Sequence, residues 1–231
     1  MPVRNGRKGA DMRKGLTEVV FILDRSGSMA GLEEDTIGGY NSMLDRQKKE
    51  EGEILISTVL FDDVSEVLHD RLALDSVRHI TQKEYFVRGC TALLDAVGGA
   101  IRHIGNVHKY AREEDRPEKT LFVITTDGME NSSRSYSYGK VKKMVERQKE
   151  KYGWEFLFLG ANIDAIEVAG RFGIHGDHAV NYECDGAGTR LNYDVLSRAV
   201  SRVRACSAAP EALAADWKAD IEADYKRRHK G

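Results

Sequence analysis

Six short apolar runs recur along the chain, and amphipathic segments separate them. The runs are rich in Val, Ile, Leu and Phe, as is typical of β-strands buried on both faces of a sheet. They lie at 18–23 (EVVFIL), 53–61, 64–70, 119–126, 154–159 and 178–182. In the run at 64–70 apolar and polar residues alternate after a tight Asp-Asp turn, so we expect a hairpin partner at the sheet edge.

Between these runs, apolar residues recur at the spacing of helices that bury one face. The predicted helices lie at 36–50, 92–104, 139–152, 164–172 and 190–206. Strands that alternate with such helices predict an α/β fold. We expect a doubly wound, Rossmann-like, mostly parallel six-stranded sheet with one antiparallel edge strand and helices on both faces.

The same pattern divides the 231 residues into three segments. Residues 1–16 are basic and lack an apolar centre, so we expect a flexible lead-in rather than a secretory signal. Residues 17–182 hold the alternating elements, and residues 183–231 form a C-terminal helical extension. An apolar stripe in this extension could pack on the domain, pair with a second copy or bind a partner. The stripe consists of Leu213, Trp217, Ile221 and Tyr225.

Composition and charge limit the classes of function that we expect for this protein. A hydrophobic content of 41% with 31% charged residues is typical of a soluble globular protein. The formal net charge of −2 provides no overall field for nucleic acid or an anionic membrane, and no apolar run approaches the ~20 residues that span a bilayer. Cys90, Cys184 and Cys206 are widely spaced, which disfavours a disulfide framework or a zinc site. We therefore expect a cytoplasmic protein without nucleic-acid or membrane partners.

Hydroxyl and carboxyl side chains follow two of the predicted parallel strands. Asp24, Ser26 and Ser28 come directly after the first strand, and a later strand ends at Asp127. Because the carboxyl ends of parallel strands meet at one edge of the sheet, we expect these groups to lie close together. Thr91, just before a predicted helix, can reach the same edge. This all-oxygen set favours Mg2+, with Mn2+ and Ca2+ as alternatives, and disfavours zinc or copper.

Three sequence elements, in this order, resemble those of the von Willebrand factor A (VWA) domain with its metal-ion-dependent adhesion site. They are DRSGS at 24–28, RGCTALLDA at 88–96 and TTDGMEN at 125–131. The resemblance extends over about residues 17–182 and is to the stand-alone, bacterial intracellular type. It departs from the family pattern at Cys90, where a Gly often precedes the Thr.

The resemblance implies a role for each of five side chains. Ser26 and Ser28 would bind Mg2+ directly, and Thr91 directly or through water. Asp24 and Asp127 would act largely through water. An Asp or Glu of a partner protein would supply the remaining ligand. The resemblance therefore implies a metal-dependent protein-binding module without enzymatic activity, and it leaves the oligomeric state unknown.

Two other functions remain open at this stage. A strand that ends in Asp24 also resembles aspartate-nucleophile phosphatases, which would make the protein an Mg-dependent phosphatase or phosphoryl-transfer enzyme. Such enzymes need a second Asp two residues on, where this chain has Ser26. Alternatively, Ser26 and Ser28 only cap the next helix in a degenerate VWA scaffold that binds partners without metal. A further hypothesis is a switch, in which the helix at 190–206 reports metal occupancy.

Other polar and aromatic residues near these motifs have structural explanations. We expect Asp62 and Asp63 to be turn residues, Asp95 to lie on a helix surface and Trp154 to be in the core. The seven histidines are scattered, and none has a recognisable ligand spacing.

Overall fold

The computed structural model describes residues 12–206, 213 and 215–229. Its strands are β1 (Arg13–Asp24), β2 (Ile54–Phe61), β3 (Ser65–Ala73), β4 (Pro117–Thr126), β5 (Glu155–Gly160) and β6 (Ala179–Asn181). They form one six-stranded sheet in the order β3-β2-β1-β4-β5-β6. Every neighbouring pair is parallel except β2 and β3. The predicted doubly wound sheet with one antiparallel edge strand is confirmed.

Among the described residues, six helices cover the two faces of the sheet. They are α1 (Glu33–Gln47), α2 (Leu93–Tyr110), α3 (Tyr138–Tyr152), α4 (Ala165–Arg171), α5 (Gly186–Ala205) and α6 (Ala219–Arg228). Helices α1, α5 and α6 pack on one face, and α2, α3 and α4 pack on the other. Within the described part of the chain, no helix is both long enough and apolar enough to cross a membrane.

β1 has a continuous apolar run because helices cover both faces of the sheet. Val19, Phe21 and Leu23 point into the core beneath α1 and α5. The alternate residues Val20 and Ile22 point into the core beneath α2. Successive strand side chains face opposite sides of the sheet, so a strand between two helical layers needs apolar residues at every position.

The sheet begins earlier in the chain than the apolar run alone indicates. Strand β1 starts at Arg13, whose backbone N–H donates to the carbonyl of Arg116 at 2.9 Å. Leu16 is buried, so residues 13–16 belong to the sheet rather than to a lead-in. The predicted boundary followed side-chain hydrophobicity, whereas backbone pairing continues through polar residues. Residues 1–11 of the predicted lead-in lie outside the described residues.

The core also continues past residue 182. Val195 and Leu196 of α5 share one apolar cluster with Tyr40 of α1. In the C-terminal stripe, Leu213, Trp217 and Ile221 are buried in this same cluster, and Tyr225 is half-buried. The stripe therefore packs on its own domain, which was one of the three predicted alternatives.

Candidate metal centre

The chain turns directly after β1 and presents two hydroxyl groups at the carboxyl edge of the sheet. The backbone N–H of Ser26 donates to Asp24 Oδ1 at 2.7 Å, which is an Asx turn. A single 3-10 turn follows at Gly27–Met29. As a result, Ser26 Oγ and Ser28 Oγ lie 3.1 Å apart.

Two other segments bring their oxygens to the same point. Thr91 Oγ1 donates to Ser26 Oγ at 3.0 Å, and the Ser28 hydroxyl donates to Asp127 Oδ1. Asp24 ends β1, and Asp127 directly follows the neighbouring strand β4. The structure therefore brings all five predicted residues into one connected group.

The loop that carries Thr91 is fixed by reciprocal hydrogen bonds. The Thr91 N–H donates to Asn131 Oδ1 at 2.9 Å, and the Asn131 N–H donates to the Thr91 carbonyl at 3.0 Å. Gly89 adopts a φ of +66°, and a Cβ there would meet Asp63 Oδ1 at 2.1 Å. Glycine is therefore required at this position. The neighbouring Cys90, where the sequence departs from the VWA pattern, is exposed.

Gly128 lies directly over the hydroxyl groups. A Cβ at this position would sit 3.1 Å from Ser28 Oγ and 3.2 Å from Thr91 Oγ1. These distances are tighter than ordinary van der Waals contact. The absence of a side chain at Gly128 therefore keeps the space beside the two hydroxyls open, as a cation and an outside ligand would require.

Both carboxyl groups of the site are buried, with exposed fractions of 1% for Asp24 and 2% for Asp127. Burial raises the pKa of Asp24 to about 6, although hydrogen bonds from Ser26 and Thr126 act in the opposite direction. Burial also raises the pKa of Asp127. No Lys or Arg among the described residues forms an ion pair with either carboxylate. A bound divalent cation would offset both charges, so the donor set fits such an ion.

The structure also shows a buried ion pair that sequence reasoning missed. Arg25, between two of the predicted ligands, is fully buried and places Nε 2.9 Å from Asp62 Oδ2. Arg88 Nε donates to the same oxygen at 2.8 Å. Asp62 does form the predicted turn, since Val64 N–H donates to its Oδ1 at 2.9 Å. Asp62 is also fully buried and pairs with two guanidinium groups, and the predicted turn did not indicate this pairing.

Two further contacts position the loop after β4. Asp95, at the start of α2, accepts backbone hydrogen bonds from residues 134–136. Cys184 Sγ lies 3.6 Å from Asp127 Oδ2 and donates to it. No motif in the sequence singles out Cys184, because it follows β6, 57 residues after Asp127.

Hydroxyl and carboxyl oxygens predominate at this edge of the sheet. Within residues 12–206, 213 and 215–229, no group of three or more His, Cys, Asp or Glu side chains could hold a metal ion. Trp154 is buried in the core, as predicted.

No protein-family model matches the chain, and no curated protein does. Solved structures do match. They include the PilB minor pilin of Streptococcus sanguinis (D319A mutant; TM-score 0.55, 12% identity, 87% of this chain and 63% of that one). A von Willebrand factor type A protein from Catenulispora acidiphila matches with TM-score 0.52 and 15% identity, over 78% of this chain and 41% of that one. The chain has the VWA fold. 

A third match is proximal thread matrix protein 1 of the mussel byssus, in a structure described as having a zinc-occupied MIDAS motif. Its TM-score is 0.54 at 14% identity, over 83% of this chain and 46% of that one. In all three comparisons the match spans less than two thirds of the other chain's length. At such low identities the likeness concerns the VWA fold alone.

Proposed function

We propose that this VWA domain is a metal-dependent protein-binding module. A divalent cation held by Asp24, Ser26, Ser28, Thr91 and Asp127 would recruit a carboxylate from a partner protein. The observation that carries the proposal is the convergence of two buried carboxylates, unpaired with any described Lys or Arg, and three hydroxyl groups beneath the open side left by Gly128.

The chemistry of the donors favours Mg2+ as the cation. All five groups offer hard oxygens, which Mg2+ prefers, and Mn2+ and Ca2+ are alternatives. The zinc described for the mussel protein supports divalent-cation binding on this fold in general. Because three of the five groups are neutral, the cation would retain affinity for an outside carboxylate of Asp or Glu.

The proposal is for a binding protein rather than an enzyme. Among the described residues, no histidine or lysine hydrogen-bonds to any of the five groups, and in the proposed site both carboxylates would be engaged by the cation. We also propose a cytoplasmic location, in keeping with the free thiols of Cys90, Cys184 and Cys206.

Affinity purification of partners tests this function. Wild-type protein in Mg2+ is expected to retain a partner that EDTA releases. Asp127→Asn should lose that partner, because it weakens the cation site. The matched control is Asp63→Asn, which alters an exposed carboxylate near the same edge and should behave as wild type.

The fold of each variant is checked by circular dichroism, and Mg2+ binding by calorimetry. A partner that is retained equally in EDTA would contradict the proposal. So would Mg2+ binding that is the same in wild type and Asp127→Asn.

A further inference from the structure

A cleft of about 440 Å³ opens beside the candidate metal centre. It lies between the loop after β5, the segment after β6 and helix α6. Cys184 lines this cleft and also contacts Asp127 Oδ2. The Cys184 side chain therefore lies between the cleft and Asp127, one of the proposed cation ligands.

One wall of the cleft is aromatic. The rings of Tyr225 and His229 are stacked, with centroids 4.1 Å apart and an interplanar angle of 24°. Both residues are on or directly after α6. Aromatic rings attract cations through their π faces, and this attraction strengthens where water is excluded. This wall would suit a positively charged group as well as an apolar one.

A carboxylate also lines this space. Glu183 lines the cleft, and its Oε1 is buried without a hydrogen-bond donor among the described residues. His229 Nδ1 lies 3.1 Å from Glu183 Oε1, but it makes its hydrogen bond to the Tyr225 carbonyl, at 2.9 Å. The Glu183 side chain is 22% exposed, so a ligand in the cleft that donates hydrogen bonds can reach this carboxylate.

The loop after β5 adds an amide, Asn162, and a second carboxylate, Asp164, to the lining of the cleft. Asn162 has a φ of +54°, which is uncommon for a residue other than glycine. Asp164 Oδ1 caps α4 by accepting from the Glu167 N–H at 2.9 Å. With Glu183 and Asp164, the cleft has two acidic side chains, and His229 is the one basic residue among its lining residues.

We infer that this cleft binds the cationic side chain, Lys or Arg, of a partner segment. The same segment would supply the carboxylate to the cation, so this half of the inference rests on the proposed function. The preferred partner would then carry an Asp or Glu followed or preceded, within a few residues, by a Lys or Arg. The cleft would select among carboxylate-bearing segments, which the cation alone cannot do.

The cleft is tested separately from the metal. N-acetyl-lysine methylamide is titrated in EDTA into isotope-labelled protein, and backbone amide shifts are followed by NMR. We expect saturable shifts at Asn162, Glu183 and Cys184 below about 50 mM. N-acetyl-norleucine methylamide, which has no charge, should produce much smaller shifts.

Two variants identify the group responsible. Glu183→Gln should weaken lysine-probe binding roughly tenfold, because it removes a charge-assisted hydrogen bond. Glu150→Gln, on the exposed surface of α3, should bind as wild type. Equal shifts from both probes, no shifts at the cleft, or no effect of Glu183→Gln would overturn the inference.

A second experiment tests whether one segment binds both the cleft and the metal centre. The peptides acetyl-Asp-Gly-Gly-Lys-amide and acetyl-Asp-Gly-Gly-norleucine-amide are compared in Mg2+. The inference expects the lysine peptide to bind more tightly, and this advantage to vanish in Glu183→Gln. If neither Mg2+ nor either peptide shows binding at the cation site while the lysine probe still binds in EDTA, the proposed function fails and the cleft stands. If both peptides bind equally in Mg2+, the cleft inference fails and the proposed function stands.

Discussion

At the scale of single residues, Gly128 controls the room above the hydroxyl groups of the site. We predict that Gly128→Ala lowers Mg2+ affinity by about tenfold or more, because its Cβ would lie 3.1 Å from Ser28 Oγ. Calorimetric titration measures the change. Gly139→Ala is the matched control, since a Cβ there meets nothing within 4 Å. Unchanged affinity in Gly128→Ala would show that the cation does not sit beneath this residue.

The burial of Asp24 leads to a prediction about stability. Its pKa is raised to about 6, so ionised Asp24 destabilises the cation-free fold at neutral pH by up to about 3 kcal/mol. We predict that Asp24→Asn raises the free energy of unfolding in EDTA by about 1–2 kcal/mol, the rest being offset by altered hydrogen bonds. The same variant should lose all stabilisation by Mg2+. Urea unfolding with and without Mg2+ measures both effects, and a variant that Mg2+ still stabilises would contradict this account of the site.

The sign of the pH dependence follows from the same group. In EDTA, the favourable contribution of protonated Asp24 is fully present below its unfolded pKa near 3.8 and is lost as the pH rises through about 6. A cation requires the carboxylate, so stabilisation by Mg2+ should increase over this same interval. We predict a larger Mg2+-induced shift of the melting temperature at pH 7.5 than at pH 5. An equal shift at both values would show that Asp24 does not titrate with metal binding.

The sequence indicated which five side chains meet at this edge of the sheet, because four of them lie at or directly after the ends of parallel strands. Thr91 lies in the loop just before α2. It did not indicate the partners of Arg25. Arg25 and Asp62 are 37 residues apart, and neither spacing nor composition encodes such a pairing. The contact of Cys184 with Asp127 was not predicted for the same reason, because these residues are 57 positions apart. Long-range contacts of this kind appear only once the register of the sheet is known.

At the scale of elements, the C-terminal end of α5 is held by a buried lysine. Lys119 Nζ, at the start of β4, donates to the carbonyls of Val203, Arg204 and Cys206 at 2.9, 2.9 and 2.6 Å. The last carbonyls of a helix have no partner within the helix. A cation at that end also interacts favourably with the negative end of the helix dipole. Lys119 thus fixes α5 to the sheet.

We predict that Lys119→Met lowers the free energy of unfolding by about 1–3 kcal/mol, because three carbonyls lose their donor. Lys143→Met, on the exposed face of α3, should change it by less than about 0.5 kcal/mol. Urea unfolding measures both. Equal stability of the two variants would contradict the role of Lys119.

Helix α1 ends against α5 in a similar way. The guanidinium of Arg204 donates to the carbonyls of Gln47, Glu50 and Gly52 at 2.8, 3.0 and 2.9 Å. The periodicity of the sequence predicted that both helices exist, and amphipathic helices must pack on the sheet. It did not predict that one side chain would join the two helix ends, because that depends on where α5 stops relative to α1.

At the scale of the whole molecule, the C-terminal segment belongs to the same apolar core as α1 and α5. Trp217 is buried in that core, and its Nε1 donates to the Asp177 carbonyl at 2.8 Å. The i+4 stripe alone allowed packing, pairing with a second copy or partner binding. The structure shows packing, since α6 contacts both α5 and β6.

We predict that Trp217→Ala lowers the free energy of unfolding by about 3–5 kcal/mol. Tyr110→Ala, at a residue that is 78% exposed, should cost less than about 0.5 kcal/mol. Chemical denaturation followed by circular dichroism measures both. A Trp217→Ala protein as stable as the wild type would mean that the C-terminal segment is not docked in solution.

The most direct test of the central claim is to locate the cation itself. Crystals grown in Mn2+ would be measured for anomalous scattering, with Asp127→Asn crystals as the comparison. The account predicts one strong anomalous peak bounded by the oxygens of Ser26, Ser28 and Thr91, and a weaker or absent peak in the variant. No peak at saturating Mn2+, or a peak elsewhere on the molecule, would contradict it.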